Sequence, residues 1–239
     1  MNSEPFRTPV KKNFAQRIMQ TIQLNNRSSV VTNLLIINIL AFMAETLLPA
    51  NIGDTIIRYG ALSFWKGGDF YFWQLFTYMF LHADFTHIFF NMFALWMFGR
   101  GLEYDLGSRK FLIYYFVCGV GAGLIQLGVN WIEFAIAASK PVVSPIALAR
   151  LAHASTIGAS GAVYGLLLAF GMLHPDNRIM LMFPPVVLKA KWFVIIYGVI
   201  ELFAGITGSA NIAHFAHLGG MLFGWLLLRY WRRNNYISY

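Results

Sequence analysis

Gly158-Ala159-Ser160-Gly161-Ala162-Val163-Tyr164-Gly165 opens an apolar run that continues to Met172. One serine stands among small residues at the start of a segment suited to a membrane helix. Small residues let a second helix approach closely. A serine hydroxyl is inert until a base takes its proton, so a nucleophilic serine needs such a neighbour. Two other stretches can supply the rest. Ala216-His217-Leu218-Gly219-Gly220 offers a base, and His87-Ile88-Phe89-Phe90-Asn91 offers polar donors. Alone, a serine beside glycines is a packing feature; the three stretches together point to chemistry.

The composition sets the environment. Of 239 residues, 58% are hydrophobic and only 12% are charged, where soluble domains carry about a quarter. This implies one all-α, membrane-embedded domain. Cys118, the single cysteine, lies in an apolar run. It has no disulfide partner within the chain and reads as a small buried hydrophobe. Nothing in the pattern calls for a metal or a cofactor.

Residues 1–29 form a basic tail. Phe14, Ile18 and Ile22 recur every fourth residue there, which fits either a short amphipathic helix on the membrane surface or a solvated segment. The tail lacks the apolar core and small-residue cleavage site of a secretory signal. Six apolar spans follow, at about 30–48, 85–98, 111–134, 157–173, 192–206 and 213–230. They give a membrane domain over 30–231 and a short tail over 232–239. The aromatic-rich connection 49–84 reads as a loop partly sunk in the interface. A second long loop is expected over 135–156, with Pro141 and Pro145.

Basic residues orient this plan. With the N-terminus in the cytoplasm, 14 of the 18 Lys and Arg fall on inside segments. The positive-inside rule then places both termini in the cytoplasm. The net charge of +8 is an orientation signal, not a nucleic-acid footprint.

Spans two, four and six therefore run from outside to inside. His87 and Asn91 lie in the first turns of span two, Ser160 in the first turn of span four, and His217 near the start of span six. At about 1.5 Å of rise per residue, the four share one depth in the outer half of the bilayer. Polar groups there are costly unless they face the protein interior or water. Asn91 follows His87 by four residues, and Tyr164 follows Ser160 by four, so each pair shares a helix face. Gly161 with Gly165 and Gly220 with Gly224 make two GxxxG faces, whose close approach can bring His217 to Ser160. In acyl transfer, Ser160 attacks a carbonyl, and His217 takes its proton and later gives it to the leaving amine. The Ser160 backbone N–H, His87 and Asn91 are the candidate donors to the oxyanion. Tyr164 can stack on the His217 ring. His82, His153, His174 and His214 read as structural, although His214 shares a similar face with His217.

These stretches resemble the rhomboid family of intramembrane serine proteases. The GASG stretch at 158–161 with Tyr164, the pair His87 and Asn91, and the AHLGG stretch at 216–220 with Gly224 carry the resemblance, over roughly residues 60–230. Gly101, Glu103 and Gly107-Ser108 are similar to the family's short cytoplasmic connection after span two. The resemblance implies a six-helix rhomboid-like bundle and a Ser160–His217 dyad, with Gly158, Gly161 and Tyr164 in support. It implies cleavage of single-span membrane proteins within the lipid bilayer, with no nucleic-acid partner, and residence in a bacterial inner membrane. It selects His217 over His214, because Leu-Gly-Gly follows His217. Two departures stand out: Trp65-Lys66 where the family's first external loop often has Trp-Arg, and a longer 135–156 connection.

The competing reading is a membrane protein without catalysis, either a transporter or an inactive rhomboid-like client binder. Transporters also place polar residues at glycine-broken helices, but this chain has no internal repeat. An inactive relative does not need every residue the chemistry requires. No carboxylate is expected beside the dyad. Among ten acids, Glu201 is the one inside span five, and its midway position suggests a site deeper than His217.

Overall fold

The computed structural model describes residues 29–180, 185–207 and 214–237. The expected surface helix over Phe14–Ile22 lies outside them. Helix α1 is Val30–Leu47, followed by α2 (Ala50–Gly60), strand β1 (Leu62–Ser63) and a short α3 (Gln74–Thr77). Then come α4 (Phe85–Leu106), α5 (Ser108–Ala138), α6 (Pro145–Ala152), β2 (Ser155–Thr156) and α7 (Ser160–Leu173). Strands β3 (Arg178–Met180) and β4 (Val187–Lys189) precede α8 (Ala190–Thr207) and α9 (His214–Arg233). Three of these helices, α1, α5 and α8, are long and apolar enough to cross a membrane, and α7 is apolar but shorter.

The core is a trio. Helix α9 packs most extensively on α5, then on α7, and α5 packs on α7. Phe111, Tyr114, Tyr115 and Cys118 of α5, Leu166 and Ala169 of α7, and Leu228 of α9 are fully buried. Helices α1, α4 and α8 lie outside this trio. Their outer faces present Ile36, Ile37 and Leu40; Phe89, Phe90 and Phe93; and Val199, Ile200 and Phe203. Such faces are stable against lipid rather than water.

Helix ends explain several boundaries. Asp84 caps α4, its carboxylate accepting from the His87 N–H at 2.8 Å, the usual way an orphan N–H is satisfied. Helix α4 runs past the expected end at Phe98, through Arg100, Glu103 and Asp105, to Leu106. The charges mark where the apolar stretch ends, not where the helix ends. A single residue, Gly107, then turns the chain into α5 with φ +75°, a conformation glycine adopts without penalty. Helix α9 likewise continues to Arg233, past the expected end of the span.

Both long connections are more ordered than the loop reading anticipates. The first holds α2 and α3, and Gln74 within it is fully buried. Its amide links Ser63, Tyr71 and Asp69, donating to the Asp69 carbonyl at 3.0 Å. The second holds α6, which starts with proline at the favoured first position. The two meet: β1 pairs antiparallel with β2, Leu62 opposite Thr156 and Ser63 opposite Ser155. This ribbon ends four residues before Ser160 and fixes how α7 is entered. Between α7 and α8, β3 and β4 pair antiparallel, which the apolar pattern does not signal. Asp176 beside it accepts from Lys189 at 3.0 Å and Lys191 at 3.1 Å, and these two cations hold its carboxyl below the usual aspartate range.

Candidate active site

The site is built at the entry to α7. Gly158 has φ +124°, and its N–H donates to the Tyr78 carbonyl at 2.9 Å. Tyr78 is itself buried, its hydroxyl donating to the Gly119 carbonyl of α5 at 2.6 Å. The 49–84 connection thus anchors the residues before Ser160. A methyl on Gly158 would stand 2.8 Å from Cε1 and Nε2 of His87, so both the backbone angle and the space require glycine. Ser160 is the first residue of α7, and its N–H is one of the unpaired donors of a helix start.

Glycines then close the seam between α7 and α9. A Cβ on Gly220 would lie 1.9 Å from the Gly161 carbonyl oxygen and 3.2 Å from Gly161 Cα. Backbones meet with nothing between them. Across this seam His217 Nε2 lies 2.8 Å from Ser160 Oγ. The Tyr164 ring stacks on the His217 ring, centroids 4.2 Å apart and planes within 5°. The expected partners Ser160, Tyr164 and His217 are therefore brought together.

His87 and Asn91 approach from α4. The Ala83 N–H donates to His87 Nδ1 at 3.3 Å. The ring proton then sits on Nε2, the atom beside Gly158, as a neutral imidazole has one donor and one acceptor nitrogen. Asn91 is 5% exposed and donates one amide hydrogen to the His87 carbonyl at 3.0 Å. Its second amide hydrogen stays available. His82 packs edge-on against His87, centroids 5.0 Å apart. Burial, and after it the neighbouring His87, pushes the His82 imidazole down to about 4, so it adds no charge beside the site.

One expectation fails. Glu201 does not lie deeper than His217: its Oε2 is 3.0 Å from His217 Nδ1 and 2.7 Å from His214 Nδ1. Its Oε1 accepts from the Tyr164 hydroxyl. The reason is geometric. Position along a helix fixes depth only if neighbouring helices end at one height. Here Gly205 lets α8 come close to the start of α9, and a methyl there would lie 3.1 Å from the Phe215 ring. The signal was present in the sequence, since an acid inside a span marks a functional position.

The other histidines fall as follows. His214 faces Glu201, and His217, not His214, meets the serine. His174 lies at the far end of α7, 2.6 Å from Asp105. Glu201, His214 and His217 form the one group of three potential metal ligands among the described residues, with donor atoms within 4.8 Å of one another. Both imidazole Nδ1 atoms, however, converge on the same carboxylate oxygen at 2.7 and 3.0 Å. The shorter of the two is a hydrogen bond that ties His214 to Glu201.

A serine hydroxyl on an imidazole, beside a helix start and a second imidazole donor, can perform nucleophilic attack on a carbonyl with the oxyanion stabilised. The chain is similar to known proteins over most of its length. The rhomboid domain family matches residues 69–234. The mitochondrial rhomboid protein 1 of Saccharomyces cerevisiae is 35% identical over 62% of this chain and 40% of its own length. The rhomboid protease GluP of Bacillus subtilis is 30% identical over 94% of this chain and 39% of its own. The rhomboid protease AarA of Providencia stuartii is 28% identical over 65% of this chain and 54% of its own. The chain spans about two fifths of the length of the first two of these relatives. With its apolar helices and a family match covering most of its length, this chain is an integral membrane protein of the rhomboid family.

Proposed function

We propose that the chain is an intramembrane serine endopeptidase. The observation that carries the proposal is the 2.8 Å contact between Ser160 Oγ and His217 Nε2. In this reading Ser160 attacks the carbonyl of a scissile peptide. His217 takes the serine proton and passes it to the leaving amine. The oxyanion is held by the Ser160 N–H, the Nε2–H of His87 and the free amide hydrogen of Asn91. The names of GluP and AarA as rhomboid proteases support it.

The topology belongs to the same proposal. Helices α1, α4, α5, α7, α8 and α9 are the six spans, with both termini in the cytoplasm, and residues 30–231 form the membrane domain between a basic tail over 1–29 and a short tail over 232–239. Helices α4, α7 and α9 then begin on the outer side, at the level of His87, Ser160 and His217. In this reading the protein resides in a bacterial inner membrane. Substrates are single-span proteins. A peptide bond inside an intact helix is hydrogen-bonded and shielded, so segments loosened by Gly or Pro near their outer end are preferred.

The test is cleavage of a single-span substrate in detergent, together with labelling by a fluorophosphonate. Wild type should cleave and label, and Ser160→Ala should do neither, since losing the nucleophile of a serine protease costs about 10⁶ in turnover. Retention of more than about 5% of the rate by Ser160→Ala would remove the assignment, given that scale. A folded wild type that neither cuts nor labels would be a client binder instead.

A further inference from the structure

Glu201 is 6% exposed on a helix whose neighbouring Val199, Ile200, Leu202 and Phe203 are open to the surroundings. A carboxylate in such a segment is costly unless it is paired. Two of its contacts account for structure alone: Tyr164 on Oε1 and His214 on Oε2 at 2.7 Å tie α8 to α7 and α9. They do not account for the third. His217 Nδ1 is a buried nitrogen with no hydrogen bond of good geometry, yet the same Oε2 stands 3.0 Å from it. The distance is right and the angle is not, so a small rotation of either side chain completes the bond. Resting enzymes often hold such bonds loosely and tighten them with substrate.

The need for that bond follows from the other edge of the ring. Nε2 faces Ser160 Oγ, so His217 can accept the serine proton only when its own proton sits on Nδ1. Tyr164 stacks on the ring face and offers no acceptor in the ring plane. Among the described residues, the groups around His217 are Ser160 and Tyr164 of α7, Glu201 of α8, His214 of its own helix and His87 of α4. Of these, the Glu201 carboxylate is the one anion.

We propose that Glu201 is the positioning acid of a Ser160–His217–Glu201 triad. It holds the proton of His217 on Nδ1 and faces the positive charge that appears when the serine proton arrives. The step balances without another reagent. The Ser160 O–H bond breaks and its proton moves to Nε2 as Oγ bonds the carbonyl carbon, whose π electrons move to oxygen. When the C–N bond then breaks, the Nε2 proton leaves with the amine. Glu201 stays ionised throughout, as the acid of soluble triads does. Tyr164 acquires a second duty, fixing Oε1 so that Oε2 faces the two rings. The proposal rests on the protease reading for its catalytic consequence, and on the contact geometry for the tautomer.

The test compares wild type, Glu201→Gln and Glu201→Asp in detergent. Three readouts are taken: kcat and KM on a single-span substrate, fluorophosphonate labelling rate, and the ¹⁵N spectrum of the His217 ring. Glu201→Gln keeps the shape and loses the charge. It should lower kcat by about 10³–10⁴, the scale set by the acids of soluble triads, with KM nearly unchanged. It should also convert a single Nδ1–H tautomer into a mixture. Glu201→Asp should recover at least about tenfold of the rate lost in the glutamine variant, because it retains the anion. A glutamine variant within about threefold of wild type overturns the proposal. So does an unchanged His217 tautomer, even where both variants lose rate together with thermal stability, because Glu201 then only pins α8. If wild type itself neither cuts nor labels, the protease reading fails, and the tautomer comparison still decides whether Glu201 positions His217.

Discussion

The inner trio α5, α7 and α9 and the outer helices α4 and α8 contribute to the same site by different means. On the inside, position comes from backbone contact: Gly220 meets the Gly161 carbonyl, and Gly165 and Gly224 meet Cys118 and Tyr114. On the outside, each helix turns one polar edge inward and a broad apolar face outward. Helix α4 delivers His87 and Asn91, and α8 delivers Glu201, each held by hydrogen bonds of its side chain. The contrast separates two requirements. Nucleophile and base need a fixed distance, which close backbone packing supplies. Groups that meet charge during the reaction need reach, and a side chain on a peripheral helix supplies that.

If the outer helices serve only the charged intermediate, their loss must appear in turnover. His87→Ala and Asn91→Ala should each lower kcat by about 10²–10³, the usual cost of one oxyanion donor. KM should stay close to the wild-type value, and melting temperature should move little. A large rise in KM with kcat unchanged would make α4 a docking surface and dissolve the distinction.

The inner seam should respond in the opposite way. Gly220→Ala puts a methyl 1.9 Å from the Gly161 carbonyl oxygen, and backbone cannot yield as a flexible side chain does. Overpacking of this kind costs about 1–3 kcal/mol, so both melting temperature and activity should fall. Gly198→Ala on α8 is the matched control. Its methyl would lie 3.5 Å from Met221 Cε, an ordinary contact, and helix propensity favours alanine by up to about 1 kcal/mol. Equal effects of the two changes, measured by thermal unfolding in one detergent, would show that the seam is no tighter than the periphery.

The same division decides what a reader of the sequence can see. Ser160, His217 and Tyr164 were legible because alternate spans of one chain share direction, and the first turns of three such spans share depth. Their meeting also needed glycine faces, and those are written in the residues. Glu201 was legible as an anomaly but not as a neighbour. Its depth depends on how far α8 rides beside α9, which the apolar pattern does not encode. The end of α4 differs from the apolar pattern for a related reason: Arg100, Glu103 and Asp105 stop the apolar run while the helix continues to Leu106. In the 135–156 connection, Pro145 was a usable helix start, but the pairing of Ser155–Thr156 with Leu62–Ser63 joins segments far apart in sequence and leaves no local trace.

Helix α1 gives the mildest test, because it belongs to the periphery and delivers nothing to the site. Its start is held by one side chain from α4. Glu103 accepts from the Val30 N–H at 2.8 Å, the Val31 N–H at 3.1 Å, Ser29 Oγ at 2.6 Å and Ser108 Oγ at 2.7 Å. Partial burial alone would raise its pKa, but these hydrogen bonds outweigh it and hold the carboxyl below the ordinary glutamate range. A depressed folded value means stability that is fully present above the unfolded value of about 4.3 and is lost as pH falls through the folded one. Glu103→Gln should therefore lower stability at pH 7 by about 1 kcal/mol, a cap-sized effect kept small by solvent screening at a partly exposed group. The gap between variant and wild type should narrow as pH drops below about 4, where the wild-type carboxyl begins to take up its proton. Cleavage should be unaffected, because Glu103 lies sixteen residues along α4 from His87, about 24 Å at helical rise. The check is a series of thermal unfolding curves between pH 7 and pH 3. A gap that does not change with pH would mean that the amide caps α1 as well as the anion does, and that shape rather than charge secures this edge of the bundle.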